Sequence, residues 1–190
     1  FPQVKLIHSI QNLGYAGGNN RGIVYALGKG AVHVLLLNND LIVDPGILRG
    51  FLEAVQQYPR GGMFCAKIYD YYNPQKISFC GAKWESANVC FAFQDNGQID
   101  DGISYEQIVP TDSVVGCALF APSCVINSVG LLEEKYFLNW EEMDWAHRAK
   151  RLGYDSFIVP QAKVWHKGAV SFENGRDGPL WNYYMWRNRM

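Results

Sequence analysis

The chain has 190 residues, a formal net charge of -1, and a composition that is 48% hydrophobic and 18% charged. Its length suffices for one domain with a sizeable core. The charge balance excludes composition-driven disorder and a generally basic nucleic-acid-binding surface, and no run approaches the roughly 18 apolar residues of a membrane span. No nucleic-acid partner is expected, while peripheral contact with a membrane stays open. Five cysteines, an odd number without Cys-x-x-Cys spacing, indicate neither a disulfide framework nor a zinc site, so a reduced, cytoplasmic compartment is expected. Aromatic residues reach 14%, with six tryptophans, more than packing a small core usually takes, so some are expected to line a cleft.

Residues 4–8 read as a strand that begins almost at once, without a starting Met or a leader, as in a chain that starts inside a longer protein. Residues 17–27 read as a helix, entered through a Gly/Asn-rich link. Residues 33–37 form an apolar run too short for a helix, as in a parallel strand buried on both faces. Together these predict a βαβ unit. Asp44 as N-cap and Pro45 in the first turn open a second helix, with Ile47, Leu48, Phe51, Leu52 and Val55 as its apolar stripe. Residues 63–69 are a further strand. Turn signals between residues 70 and 111 predict hairpin-like strands at 77–84 and 89–93, then a mobile loop. A core strand is expected over 114–120 and a short helix over 122–129. A helix over 141–152 ends at Gly153. Two short strands at 157–159 and 163–165 and an aromatic helix from Pro179 to Met190 complete the order.

Five segments could carry chemistry. Asn38-Asn39-Asp40 leaves the core at a strand's carboxyl end, where open α/β sheets bind ligands. It reads either as a turn or as a carboxylate holding a metal against a phosphorylated ligand. The run from Asn12 to Gly22, containing Gly17, Gly18, Asn19 and Asn20, offers close backbone approach and free amides to phosphate or sugar oxygens, or else a tight turn and helix cap. It is neither a Walker loop nor a dinucleotide fingerprint. Glu141, Glu142 and Asp144 sit at a helix start between two tryptophans. Capping is one role for them, and a general base taking a proton from a hydroxyl is another. His166 follows a short strand; facing Asp40, it would suit Mn or Mg with diphosphate oxygens completing the shell. In the last helix Arg187 and Arg189 could grip phosphate, or the helix could simply pack its aromatics.

In this order, the segments resemble glycosyltransferase family 2, the inverting GT-A enzymes, and in particular its rhamnosyltransferase-like members. The likeness runs through Asn12 to Gly22, Leu35 to Asp40, Gly116 to Leu119, Gly130 to Glu134, Glu141 to Arg148, Gly153-Tyr154, Val159-Pro160, His166, Ser171, Tyr183-Tyr184 and Arg187-Asn188. It implies an α/β fold of GT-A (Rossmann-like) type, a mixed, mainly parallel sheet flanked by helices. Residues 1–190 would form a single domain, with 1–70 the remainder of the nucleotide-sugar-binding half and 71–190 the acceptor-side and catalytic half. Asn38-Asn39-Asp40 matches the family's Asp-x-Asp-type motif, with Asn38 replacing its first Asp and Asp40 the metal ligand. The family's acidic pair falls on Glu141-Glu142, which places the base at Glu142 or Glu141 and the next acid at Asp144. Family members open with two further strands that bind the nucleoside. Phe1 aligns with the third, so the fold is expected to be N-terminally truncated and the chain alone nearly inactive.

The resemblance implies inverting transfer of a sugar from a dTDP- or UDP-sugar donor to a hydroxyl of a cell-surface glycan or lipid-linked acceptor. A divalent cation, Mg or Mn, would assist at Asp40 and His166, with Gly17, Gly18, Asn19, Asn20, Asn38, Asn39 and Arg187 on the donor. The expected setting is cytoplasmic, at the inner face of the cell membrane. The rivals are a nucleotidyltransferase, whose Gly-rich loop would carry a catalytic Lys or Arg where only Arg21 is near, and a catalytically silent sugar- or partner-binding module.

Overall fold

The computed structural model describes residues 2–87, 90–168 and 178–189. Val89, at the start of the second expected hairpin strand, Ser171 and Met190 lie outside the described residues. Around one mixed sheet run α1 (Gly14–Gly28), β1 (His33–Leu37), β2 (Leu41–Val43), α2 (Ile47–Gln57), β3 (Gly61–Asp70), β4 (Ile77–Phe79), β5 (Ala82–Glu85), β6 (Cys90–Phe93) and β7 (Val109–Thr111). Then follow β8 (Ala118–Pro122), α3 (Ser123–Val129), a 3-10 turn (Glu134–Tyr136), α4 (Glu141–Arg151), β9 (Asp155–His166) and α5 (Pro179–Arg187). The main sheet has the order β1-β8-β3-β9-β2, with β4 added beside β3 and β7 beside β9, while β5 and β6 form a separate hairpin.

β3 is the spine. Nine residues from Gly61 to Tyr69 are buried, as a strand covered on both faces requires. It runs parallel to β9 and antiparallel to β8 and β4. The expected mixed sheet flanked by helices is present, but the parallel pairing is confined to β3 and β9 among the described strands. β1 is antiparallel to β8. An apolar run reports that both faces of a strand are covered; it does not report the direction of its neighbour.

Residues 4–8 do not form the expected strand. Their apolar side chains face outward, Val4 67% and Leu6 80% exposed, and no strand among the described residues pairs with them. The Gly/Asn-rich run is not a link but the opening turns of α1, which buries Ala16, Gly17, Asn20 and Ile23 on one face. α2 starts two residues later than its sequence suggests, because Asp44 Oδ1 accepts from the Gly46 N–H and holds a turn there. Its buried stripe is Ile47, Gly50, Phe51 and Ala54, whereas Leu48 and Leu52 stay exposed. Gly50 lets the helix sit directly on β9, since a Cβ there would meet the Gln161 carbonyl carbon at 2.8 Å.

The two short strands expected at 157–159 and 163–165 are one strand. Its register with β3 jumps from Ala66–Val159 to Lys67–Lys163, so residues 160–162 form a bulge. The bulge absorbs Pro160, which has no N–H for a ladder. β8 begins at Ala118, four residues later than expected, because Gly116 leaves the ladder to meet Tyr15.

The long loop before β7, expected to be mobile, is tied down. Lys67 is wholly buried in β3, and its ammonium donates to Asp100 at 2.7 Å, Glu106 at 2.8 Å and the Tyr105 carbonyl at 3.1 Å. Burial opposes the ammonium charge, but the two carboxylates outweigh it and raise the Lys67 pKa. Burial likewise pushes Asp100 up, yet Lys67 and Tyr69 hold it down to about 2. The five cysteines are unpaired. Among the described residues no helix is long and apolar enough to cross a membrane.

Candidate active site

Sheet register builds one end of the site. β2 pairs with β9 so that Leu41 faces His166, and the Lys167 N–H donates to the Asp40 carbonyl at 3.1 Å. That pairing brings Asp40 Oδ1 to 3.2 Å from His166 Nε2, with both side chains largely buried. The expected facing of Asp40 and His166 is present. The pair offers one carboxylate oxygen and one imidazole nitrogen, a donor set compatible with Mg or Mn when phosphate oxygens and water fill the other positions. No group of three or more His, Cys, Asp or Glu that could hold a metal occurs among the described residues, so protein ligation would rest on this pair.

The other end is the start of α4. Its first turn carries Glu141, Glu142 and Asp144, where the helix macrodipole favours carboxylates. Glu141 and Glu142 nevertheless each have an Oε2 that is buried with no hydrogen-bond partner. Glu142 Oε1 accepts from the Gly116 N–H at 3.4 Å. Burial raises the pKa of both, and repulsion from Glu142 adds to the rise at Glu141. Asp144 is engaged otherwise: it pairs with Arg148 at 2.8 Å, and Arg148 also donates to the Val129 and Leu131 carbonyls.

Gly116-Cys117 lies between the two ends. The Asn38 N–H donates to the Cys117 carbonyl at 2.9 Å. The Cys117 thiol is pushed well above its ordinary value by burial first, then by Cys65, Glu142 and Asp40. Through these bonds Gly116 touches Glu142, and Cys117 touches Asn38, two residues before Asp40. Tyr15 closes this wall: its hydroxyl donates to the Gly116 carbonyl, and its backbone N–H donates to the Phe137 carbonyl at 2.7 Å. Gly116 must be glycine for this approach, because a Cβ there would overlap the Tyr15 ring and hydroxyl. Burial, then Glu142, raises the Tyr15 pKa.

The approach to α4 is strained. Phe137 and Trp140 have φ of 62° and 77°, in the left-handed region that disfavours bulky side chains, and Asn139, which adopts it more readily, has φ of 64°. Asn188, just past α5, holds this stretch by donating its amide to the carbonyls of Tyr136, Leu138 and Asn139, each at 2.8 Å. The Trp140 indole adds a bond to the Met185 carbonyl at 3.2 Å. Sequence reasoning gave no role to Tyr15, Gly116 or Asn188, although all three lie within the segments that carried the family resemblance. Contacts 101 and 52 residues apart leave no local signal.

The expected donor residues are dispersed in their tasks. Asn20 is buried and clasps Leu132 through both its oxygen and its amide, at 3.0 and 2.9 Å, with a further bond to Glu134. Asn19 donates to the Tyr15 carbonyl at 2.9 Å. Gly17 packs against Leu13, while Gly18 faces open space. Asn38 follows β1 with its N–H on the Cys117 carbonyl, and Asn39 and Asp40 form the turn into β2. Arg187 donates to the Lys135 carbonyl and lies 5.2 Å from the Tyr184 ring centroid, so it braces α5 against the 3-10 turn.

Residues 1–103 match the family model described as glycosyl transferase family 2, and the chain belongs to that family. It is 28% identical over 198 residues to the N-acetylglucosaminyl-diphospho-decaprenol L-rhamnosyltransferase of Mycobacterium tuberculosis, covering 93% of this chain and 62% of that protein. It is 27% identical over 150 residues to the low-salt glycan biosynthesis hexosyltransferase Agl10 of Haloferax volcanii, covering 78% of this chain and 47% of that protein. The chain thus spans about three fifths of the length of the first of these relatives and about half of the second. A solved structure of GalNAc-T7 with UDP, GalNAc and Mn2+ superposes with a TM-score of 0.63 at 10% identity, covering 84% of this chain and 31% of that one. The fold is of the GT-A type.

Proposed function

We propose that this chain is the sugar-transfer part of an inverting glycosyltransferase that uses a dTDP- or UDP-sugar and a hydroxyl of a glycan or lipid-linked acceptor. The observation that carries this reading is that Gly116-Cys117 joins the two ends, Gly116 bonding to Glu142 and Cys117 to Asn38 two residues before the Asp40–His166 pair. Glu142 takes the proton from the acceptor hydroxyl as that oxygen attacks the anomeric carbon. Its raised pKa makes its carboxylate a better proton acceptor than an exposed one. Asp40 and His166 would hold a divalent cation, which when bound offsets charge on a departing diphosphate. Attack from the side opposite the diphosphate gives inversion. The setting proposed is the cytoplasmic face of a membrane, a reading supported by the decaprenol-linked acceptor in the name of the mycobacterial relative.

The test is a thermal-shift panel of UDP- and dTDP-sugars with and without Mn, followed by transfer assays on those that bind. Stabilisation by one nucleotide sugar that requires Mn supports the reading. Stabilisation by free glycan alone would favour a binding module, and no stabilisation of the full-length protein by either class would remove the dTDP- or UDP-sugar donor.

A further inference from the structure

Register carried one residue past the ladders sets Asp40, Lys167 and Tyr71 side by side. Leu41 faces His166 in the antiparallel pair of β2 and β9, so Asp40 comes next to Lys167, whose N–H donates to the Asp40 carbonyl. Asp70 faces His166 in the parallel pair of β3 and β9, so Tyr71 comes on the other side of Lys167, with its N–H on the His166 carbonyl at 3.1 Å. Residues directly opposite across strands share a face of the sheet. The Lys167 ammonium bears this out for Tyr71, since it lies 5.0 Å from the centroid of that ring.

The seat of this ammonium differs from that of other lysines on and around the sheet. Lys67 sits on Asp100 and Glu106, Lys163 on Glu106 and Lys150 on Asp112. Lys167 is exposed, and no carboxylate among the described residues pairs with it. Asp70, its near neighbour in the register, is turned to the Tyr72 and Asn73 N–H groups. An aromatic face holds an exposed ammonium weakly and leaves its charge for an anion.

This end of the site needs such a charge. Asp40 neutralises part of the charge of a divalent cation, while negative charge grows on a diphosphate as it departs. Arg187 is spent on the Lys135 carbonyl and the Tyr184 ring, and Arg21 lines a separate pocket beside residues 5–7. Lysine binds phosphate as a point charge on a flexible stem, without the strict approach angle of a guanidinium fork.

We propose that Lys167 is a donor-binding residue whose ammonium contacts the diphosphate beside the cation held by Asp40 and His166. This rests on the glycosyl-transfer reading, and it names the side chain that adds a second positive centre there. Tyr71 keeps that ammonium off competing carboxylates until the anion arrives.

The experiment is calorimetric titration of the full-length protein with Mn alone and then with inorganic pyrophosphate in the presence of Mn, on wild type, Lys167→Met and Lys167→Arg. Methionine keeps an apolar stem over Tyr71 without the charge, and arginine restores the charge. Lys167→Met should weaken pyrophosphate binding about tenfold, the size of one exposed charge-assisted contact, and Lys167→Arg should recover most of it. Binding of Mn alone and the Tm should stay unchanged in both variants. Absence of pyrophosphate binding in wild type, wild-type affinity in Lys167→Met, or an equal loss in Lys167→Arg would overturn the assignment. A matching loss of Mn affinity would overturn it as well, since Lys167 would then shape the metal end rather than meet the anion. Nucleotide-sugar stabilisation left intact by Lys167→Met removes this assignment alone. Lys167-dependent pyrophosphate binding without any nucleotide-sugar stabilisation keeps the anion site and removes the dTDP- or UDP-sugar donor.

Discussion

The two ends of the site are built by opposite means. Asp40 and His166 are brought together by strand register, and each is the other's hydrogen-bond partner. Glu141 and Glu142 are brought in by a helix start entered through left-handed residues, and each keeps an orphaned buried oxygen. The first arrangement follows from the sheet at little cost. The second stores unfavourable desolvation and backbone strain, which is common where a group must react. Stability and reactivity are therefore divided between the ends, and substitutions should separate them.

The largest expected effect is at Glu142. In the full-length protein Glu142→Gln should lower turnover by roughly 100-fold or more while donor affinity stays, as general-base removal does. Unchanged turnover would make the two ends equivalent bystanders. Asp40→Ala should act on the other quantity and weaken Mn-dependent donor binding. The loss of one charge-assisted interaction is about 2 kcal/mol, or roughly thirtyfold by calorimetry. Tyr15→Phe should be milder. It removes the hydroxyl from the Gly116 carbonyl and should lower kcat about tenfold through misplacement of Glu142, with KM for the donor unchanged.

The smallest effect concerns pH. Because burial raises the folded-state pKa of Glu141 and Glu142, their contribution to stability is greatest below the ordinary carboxylate range and is lost as pH rises through the raised values. Glu141→Gln should therefore raise stability at pH 9, where the buried acid has lost its proton, and leave it nearly unchanged at pH 4. Denaturant melts at the two pH values would show it. A destabilised Glu141→Gln at pH 9 would mean that the acid is held ionised by a partner rather than stranded.

This contrast also explains what the sequence made legible. Asp40 was visible because a run of leucines ending in Asn-Asn-Asp marks a strand's carboxyl end, and His166 because it follows a short apolar strand. α3, α4 with its Gly153 stop and α5 with its opening Pro179 announced themselves through local caps and turns, whereas the strand expected over 77–84 is broken at Cys80-Gly81, where Gly81 has φ 112°, into β4 of the main sheet and β5 of the hairpin with β6. The strand at residues 4–8 did not form because alternating apolar side chains are a pattern, not a partner. The division of β9 into two strands failed at Pro160, where a bulge serves as well as a break. The acid end was visible as a cluster, but what shapes it was not. Tyr15, Gly116 and Asn188 act across chain separations that no spacing rule spans, and Lys67 in the middle of an apolar strand gave no hint that it ties down a loop.

The double grip of Lys67 on Asp100 and Glu106 has a practical corollary. Residues 101–104 are held at both flanks, and Ile103 is 80% exposed. Lengthening an already closed loop adds little entropy, about 0.6 kcal/mol per doubling. A peptide tag or fluorescent reporter spliced between Gly102 and Ile103 should therefore leave the sheet and its two site ends in place, making this loop a ready handle for following the protein in cells.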